Sequence, residues 1–220
     1  MVSTMGVVPR DVSIAARDAT LPGILTVPPE ASGVILFAHG SGSSRLSPRN
    51  RMVADRLVDA GFATLLFDLL DDREAGDRSA VFDIPFLAMR LEDATLNVPA
   101  LFEGWLPVGY FGASTGGGAA LWAAADLGKR IRAVVSRGGR PDLAGSHLMN
   151  VRAPTLLIVG GRDDVVLQLN REAERKMRCP VRTEVVPGAT HLFEEQGALE
   201  HVADLAAGWF RQHMAQETGV

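Results

Sequence analysis

Three residues that could together break an acyl bond are spread along the chain: Ser114, Asp163 and His191. Ser114 stands in Gly112-Ala113-Ser114-Thr115-Gly116, between the apolar run Val108 to Phe111 and the small-residue stretch Ala119 to Ala123. A strand, then G-x-S-x-G, then a helix makes a strained turn that lifts one serine hydroxyl above a sheet edge. The helix N-terminus behind it offers free backbone N–H groups to a developing oxyanion. Serine is too weakly acidic to attack a carbonyl at neutral pH unless a base lies within hydrogen-bond reach. Histidine titrates near neutrality, so it can take that proton and return it to the leaving group. A carboxylate then fixes the imidazole tautomer and stabilises the imidazolium. Taken alone, the GASTGGG stretch also reads as a glycine-rich turn or a phosphate cradle. No Lys-Ser or Lys-Thr closes it as a P-loop, and it is a poor G-x-G-x-x-G.

The base has rivals. His39 ends an apolar run and reads as structural, bonding loop backbone; His147 falls in a short loop, and His201 and His213 on the last helix. Only His191 follows the final strand through a Pro187-Gly188 turn. For the acid, Asp163 is preferred to the adjacent Asp164, because G-x-x-D after a strand, with Val166 three residues on, is the familiar spacing. Two backbone N–H groups are expected to hold the oxyanion. One is that of Thr115, the residue after the nucleophile; the other is Ser41, helped by Gly42, in the loop His39-Gly40-Ser41-Gly42-Ser43-Ser44. An ordinary βα loop is the plainer alternative there. Gly42, Arg45 and Arg137 are candidate substrate contacts, since a guanidinium fork suits a carboxylate or phosphate. Ion pairs with nearby acids account equally for Arg137 and better for Arg140.

These groups need a scaffold. Short strands are expected at Val12 to Ala16 and Ile24 to Val27, an antiparallel opening pair. The continuous apolar run at 33–38 reads as a strand buried on both faces, 62–67 as the next buried strand, and 108–111, 131–136 and 155–159 as further strands. The last strand is expected at 183–186. Between them, helical spacing covers 48–60, 84–101 with Pro99 interrupting its end, a stretch after Ser114 ending near Gly128, about 168–178, and about 197–213. Asp68 closes a strand and could border the cleft, while the charged stretch 71–80 reads as a solvated excursion. Strands alternating with helices mean a mostly parallel sheet covered on both faces. Between Ser136 and Thr155 there is room for a loop and one helical turn but not a lid domain, so an open, shallow site is expected.

Composition narrows the classes. With 220 residues the chain suits one core rather than two. A net charge of −4 argues against nucleic acid as a partner. The single cysteine, Cys179, rules out an internal disulfide and any cysteine-rich metal site. With no signal-like or membrane-length apolar segment, a cytoplasmic protein without membrane attachment is expected.

The stretches FAHGSGSSR (37–45), GYFGASTGGGAAL (109–121), VVSRGGRPDLAG (134–145), TLLIVGGRDD (155–164) and PGATHLFEE (187–195) together resemble the α/β-hydrolase superfamily, in its small dienelactone-hydrolase-like group. The resemblance covers most of the chain. It implies a single-domain α/β-hydrolase fold over 1–220 without a lid, and a cofactor-free, metal-free serine hydrolase acting on a small-molecule ester as a monomer or homodimer. The group's namesakes use a cysteine nucleophile where this chain has Ser114, so a general esterase is expected rather than a dienelactone hydrolase. An acyltransferase or perhydrolase would share the triad, and a binding module that has lost turnover would share the fold.

Overall fold

In the computed structural model, residues 7–102 and 104–214 are described. The apolar runs make the middle of one sheet. Val34–Ala38 (β3), Ala63–Phe67 (β4), Val108–Ala113 (β5) and Thr155–Gly160 (β7) are buried at every position. Ile131–Arg137 (β6) is buried at every position but Arg132. Strands covered on both faces have no use for alternation, which explains the unbroken apolar runs. The outer strands, Arg10–Ala15 (β1), Thr20–Thr26 (β2) and Val181–Val186 (β8), keep exposed positions. The sheet order is β1-β2-β4-β3-β5-β6-β7-β8. β1 and β2 run antiparallel, and every pair from β4 to β8 is parallel.

The chain passes from β3 outward to β4, then returns to the other side of β3 as β5. The loops after β3 and β5 therefore leave in opposite directions, and a crevice opens between them at the carboxyl edge of the sheet. Open α/β sheets bind ligands at such a reversal. It falls between the HGSGSS loop and the G-x-S-x-G turn.

Helices pack on both faces. Pro48–Asp59 (α1) and Ala198–Met214 (α7) share one apolar cluster with Phe37, Phe111 and Val135. Ile84–Leu96 (α3) and Thr115–Leu127 (α5) share the other with Leu36, Tyr110 and Val134. Side chains of Ser47 and Asp83 accept from Asn50 and Phe86 N–H to start α1 and α3, each with proline in its first turn. Asp164–Lys176 (α6) begins four residues earlier than its apolar spacing suggests, directly after the loop carrying Asp163. The helix expected over 84–101 is divided at Asn97. Val98–Phe102 (α4) restarts with Pro99 in its first turn, where a missing N–H is harmless. Asn97 marks the break by donating to Ala15 O at 2.7 Å.

Two expectations need correction. The β6–β7 connection holds two short 3-10 pieces within Pro141–Asn150, broken by a kink at Gly145 with φ 55°, more than the single turn expected. The charged stretch 71–80 is not a free excursion. It forms a 3-10 turn, Glu74–Gly76, and a short helix, Arg78–Val81 (α2). Arg90 explains why. Fully buried on α3, it donates to Glu74 Oε1 at 2.8 Å and to Asp18 Oδ2 at 3.3 Å, with its guanidinium 4.7 Å from the Phe86 ring centre. Glu74 Oε2 in turn accepts from Asp71 N–H at 2.9 Å. Opposite charges thus pull a polar segment onto the fold that hydropathy alone assigns to solvent.

Replacing Glu74 by alanine removes both bonds and leaves Arg90 underpaired. It is expected to cost about 1–3 kcal/mol in urea unfolding and to speed amide hydrogen exchange over 71–83 while α5 stays protected. Unchanged exchange in that segment would mean that Arg90 does not hold it.

Candidate active site

Ser114 leaves β5 with φ 51° and ψ −121°, a backbone that a non-glycine residue rarely adopts. Such a conformation costs about 1–3 kcal/mol and persists only where the surroundings over-determine it. Here Ser114 N–H donates to Arg137 O at 3.2 Å, and Ser114 O accepts from Gly117 and Arg140 N–H, each at 3.0 Å. The two motif glycines are steric necessities. A Cβ on Gly112 would lie 2.6 Å from Gly116 O, and one on Gly116 only 2.1 Å from Ala38 O. The turn is thus a close crossing of three backbones, with a part-exposed serine at its tip.

His191 lies in the loop after β8, and its Nδ1 donates to Asp163 Oδ2 at 2.6 Å. That bond directs Nε2 away from the carboxylate. Asp163 precedes α6, and Asp164 is exposed in the helix's first turn, so Asp163 is the carboxylate that meets the ring. The loop is held on both sides of His191. Thr190 N–H donates to both Glu195 oxygens, at 3.1 and 3.0 Å, and the Thr190 side chain, followed by this N–H, keeps that carboxyl below its ordinary pKa. Phe193, two residues on, is buried. The His191 ring rests over Gly138, where a Cβ would lie 3.5 Å from ring atoms. Gly138 directly follows Arg137, the residue bonded to Ser114. The serine turn and the histidine loop therefore meet at the end of β6.

On the other side of Ser114 lies the loop after β3. His39 is buried with both ring nitrogens engaged. Nε2 accepts from Leu69 N–H at 3.0 Å, and Nδ1 donates to Gly40 O at 3.0 Å. Its tautomer is thereby fixed as neutral, and burial lowers its pKa. The Ser41 N–H, one of the two groups assigned to the oxyanion, donates at 3.0 Å to the Thr115 hydroxyl oxygen. That engagement is not legible in a motif that names only backbone positions.

Beside this loop is a cavity of about 320 Å³, walled by His39, Ser41, Asp68, Leu70, Val81 and Thr115. Gly42, with φ +67°, also lines it. The site is thus walled by the segment after β4 instead of being open and shallow on that side. Leu70 and Val81 escape sequence reasoning; the only signal for Val81 is an apolar residue inside a charged stretch. Of the candidate arginines, Arg45 is committed to Asp68, which also accepts from Arg45 N–H at 2.6 Å. Arg140 forms a two-bond pair with Asp142 at 2.8 and 2.7 Å. Arg137 is buried and has neither such partner. Cys179 lies near Thr155, at the opposite edge of the sheet, with its thiol pushed up by burial. Among the described residues, no group of three or more His, Cys, Asp or Glu side chains is placed to hold a metal ion, and no helix is long and apolar enough to cross a membrane.

Residues 31–207 match the family described as an alpha/beta hydrolase domain. The chain is similar to a dienelactone hydrolase from Anabaena variabilis at 52% identity, with a TM-score of 0.89 over 93% of this chain and 98% of that one. Est1E from Butyrivibrio proteoclasticus shares the fold at 16% identity, with a TM-score of 0.78 over 94% of this chain and 99% of that one. Curated relatives from Mycobacterium tuberculosis, provisionally named phosphoribosyl transferases, are 57% identical over 93% of this chain. This chain spans 46% of their length, so under half of the relatives it matches.

His39 makes a pH prediction. Its folded pKa lies below the ordinary 6.5, so the unfolded chain binds its proton more readily. The stability tied to the neutral ring is present above that value and is lost as pH falls below it. His39→Gln is expected to be less stable at pH 8 and to lose less melting temperature than wild type between pH 7.5 and 5.5. Equal slopes would remove His39 as a source of acid sensitivity.

Proposed function

The chain belongs to the α/β-hydrolase family, in its dienelactone-hydrolase-like group, and we propose that it is a serine hydrolase that cleaves carboxylic esters through an acyl-enzyme. The observation that carries this reading is the strained serine turn meeting the His191–Asp163 pair at the end of β6. Ser114 Oγ attacks the ester carbonyl while its proton passes to His191 Nε2. Asp163 holds the ring by Nδ1 and stabilises the imidazolium. The tetrahedral oxyanion is held by the backbone N–H of Thr115, and the Ser41 N–H joins it by exchanging its bond to the Thr115 hydroxyl for one to the oxyanion. His191 returns the proton to the departing alcohol as the ester C–O bond breaks. Water then enters, gives a proton to His191, and its oxygen bonds to the acyl carbon. The intermediate collapses to the carboxylic acid, and His191 returns the proton to Ser114.

The substrate is an ester with a short or compact acyl group, matched to a cavity of about 320 Å³. The enzyme works in the cytosol without a cofactor. The transferase name of the mycobacterial relatives describes chains more than half of which lie outside this match. The groups assembled in this half are those of acyl chemistry.

Ser114→Ala is expected to abolish labelling by a fluorophosphonate probe and to lower kcat on short p-nitrophenyl esters by about 10⁴-fold or more. Asp163→Asn should cost about 10⁴-fold, far more than Asp164→Asn. Full activity of Ser114→Ala on every ester hydrolysed by the wild type would end this reading, and greater damage from Asp164→Asn would replace the acid.

Thr115 has a second part in this scheme. Its hydroxyl oxygen holds the Ser41 N–H beside the nucleophile, so it is a positioning residue for the oxyanion loop. Thr115→Val, which keeps the shape and removes the hydroxyl, is expected to lower kcat about ten-fold or more with KM little changed. Thr115→Ser should recover most of the loss. A loss confined to KM would show that the hydroxyl serves substrate binding instead.

A further inference from the structure

The helix that follows Asp163 carries an amide where its spacing calls for an apolar side chain. Val166, Asn170 and Ala173 share the buried face of α6, and Asn170 is fully buried. Asparagine ranks among the weaker helix formers, and a buried amide is costly unless it is hydrogen-bonded. Here Nδ2 donates to Val166 O at 2.8 Å, one turn back, and to Gly139 O at 3.0 Å, in the loop after β6. Two carbonyl acceptors use both amide hydrogens, so Oδ1 cannot take the place of Nδ2. Oδ1 is enclosed without a partner. A leucine would fill this position without burying that oxygen. What the amide adds is the bond to Gly139.

Gly139 lies where three parts of the site come together. The residue before it, Gly138, is under the His191 ring. The residue after it, Arg140, donates its N–H to Ser114 O at 3.0 Å. The Gly139 backbone also packs on the first turn of α5, where a Cβ on Gly117 would lie 2.9 Å from the Gly139 Cα. Gly117 N–H is the second donor to Ser114 O. Gly139 itself belongs to no helix or strand, and no backbone N–H among the described residues is bonded to its carbonyl. The loop is therefore held to its neighbours by Gly138 N–H, which donates to Ile158 O at 2.7 Å, and by the Asn170 amide. α6 starts directly after Asp163, whose carboxylate holds His191 Nδ1.

In the serine-hydrolase reading, on which this inference rests, acid, base and nucleophile come from three separate loops and must keep one geometry. We infer that Asn170 is a positioning residue for that geometry: its amide ties the helix of the acid to the loop that seats His191 and bonds Ser114. Asn170 does not line the cavity beside Thr115, so its effect on the reaction passes through the backbone of Gly138 to Arg140. Loss of the tie frees Gly139 O, and with it the seat of the ring and one of the two N–H groups on Ser114 O. Displacing a reacting group by about 1 Å costs on the order of a hundred-fold in rate.

The test is Asn170→Leu, which keeps the branching of the side chain and removes the donor. On short p-nitrophenyl esters it is expected to lower kcat about ten- to hundred-fold with KM little changed. The low-field proton resonance of the His191 Nδ1–H is expected to shift or broaden relative to wild type. An unchanged kcat in the folded variant overturns the inference, whatever the melting temperature loses, because a purely structural amide costs stability alone. A loss confined to KM overturns it as well, since that would place the side chain in substrate binding. If the leucine variant does not fold, Asn170→Ser replaces it, small enough for the same space and too short to reach Gly139 O, with the same outcomes read in the same way. Fluorophosphonate labelling of wild type runs alongside. Labelled wild type with full kcat in the variant sinks the positioning role alone, whereas no labelling of wild type sinks the hydrolase reading beneath it.

Discussion

The site depends on how closely the first turn of α5 can approach the end of β3. The Gly116 backbone comes so near Ala38 O that a Cβ would sit 2.1 Å from it, and Gly112 is equally confined by Gly116. That contact sets the angle at which the chain leaves β5, and so fixes the positive φ of Ser114. It also brings the loop after β3 alongside Thr115, where Ser41 N–H reaches the threonine hydroxyl. A larger residue at either glycine would move both Ser114 and the backbone N–H groups beside it. Strain at Ser114 and close packing of β3 against α5 are therefore one feature, maintained by backbone bonds to Arg137, Gly117 and Arg140.

Charge is placed around this crossing by the same logic of burial. Arg90 draws Glu74 and Asp18 together and so gives the cavity a wall built from residues 74–81. Arg45 takes Asp68, and Arg140 takes Asp142, which stiffens the loops after β3 and β6. The Arg45 and Arg140 pairs are partly exposed, where ionic bonds order a segment more than they stabilise the whole. Against that pattern Arg137 stands apart. It is the most buried of the arginines near the serine, and among the described residues no carboxylate pairs with it.

Much of the frame is legible in the sequence because burial on both faces leaves a plain signature. The runs 33–38, 62–67 and 155–159 coincide with β3, β4 and β7 to within a residue. Helix starts are less legible. α6 begins at Asp164, ahead of its apolar face, because the loop holding Asp163 sets its origin. The segment 71–80 misleads for a different reason: its structure comes from Arg90, distant in sequence, and local hydropathy has no knowledge of that partner. At the candidate site, Ser114, Asp163 and His191 are proposed from their places after strands, and the structure pairs His191 with Asp163. The hold of Thr115 on Ser41, the cavity wall at Leu70 and Val81, and the isolation of Arg137 are tertiary facts. No spacing rule distinguishes Arg137 from Arg140, although three residues apart one is enclosed and the other is paired at the surface.

The geometry also explains how His191, which lies outside any rigid element, is held in place. His191 lies on a loop, yet its position is shared among three supports from different parts of the chain. Asp163 holds the ring by Nδ1, Gly138 lies beneath it, and Glu195 clamps the preceding N–H. Because Asp163 follows β7 and Gly138 follows β6, the ring is referred to the sheet and not to its own loop. Relative motion of the loop is thereby converted into strain on bonds to fixed strands. The proton relay proposed for His191 needs its donor and acceptor closely held, and these three supports favour that without a helix under the histidine. The same referral joins the His191 loop to the serine turn, since β6 bonds Ser114 directly through Arg137 and the next residue, Gly138, lies beneath the ring. One strand end thus supports both segments on which the proposed chemistry rests.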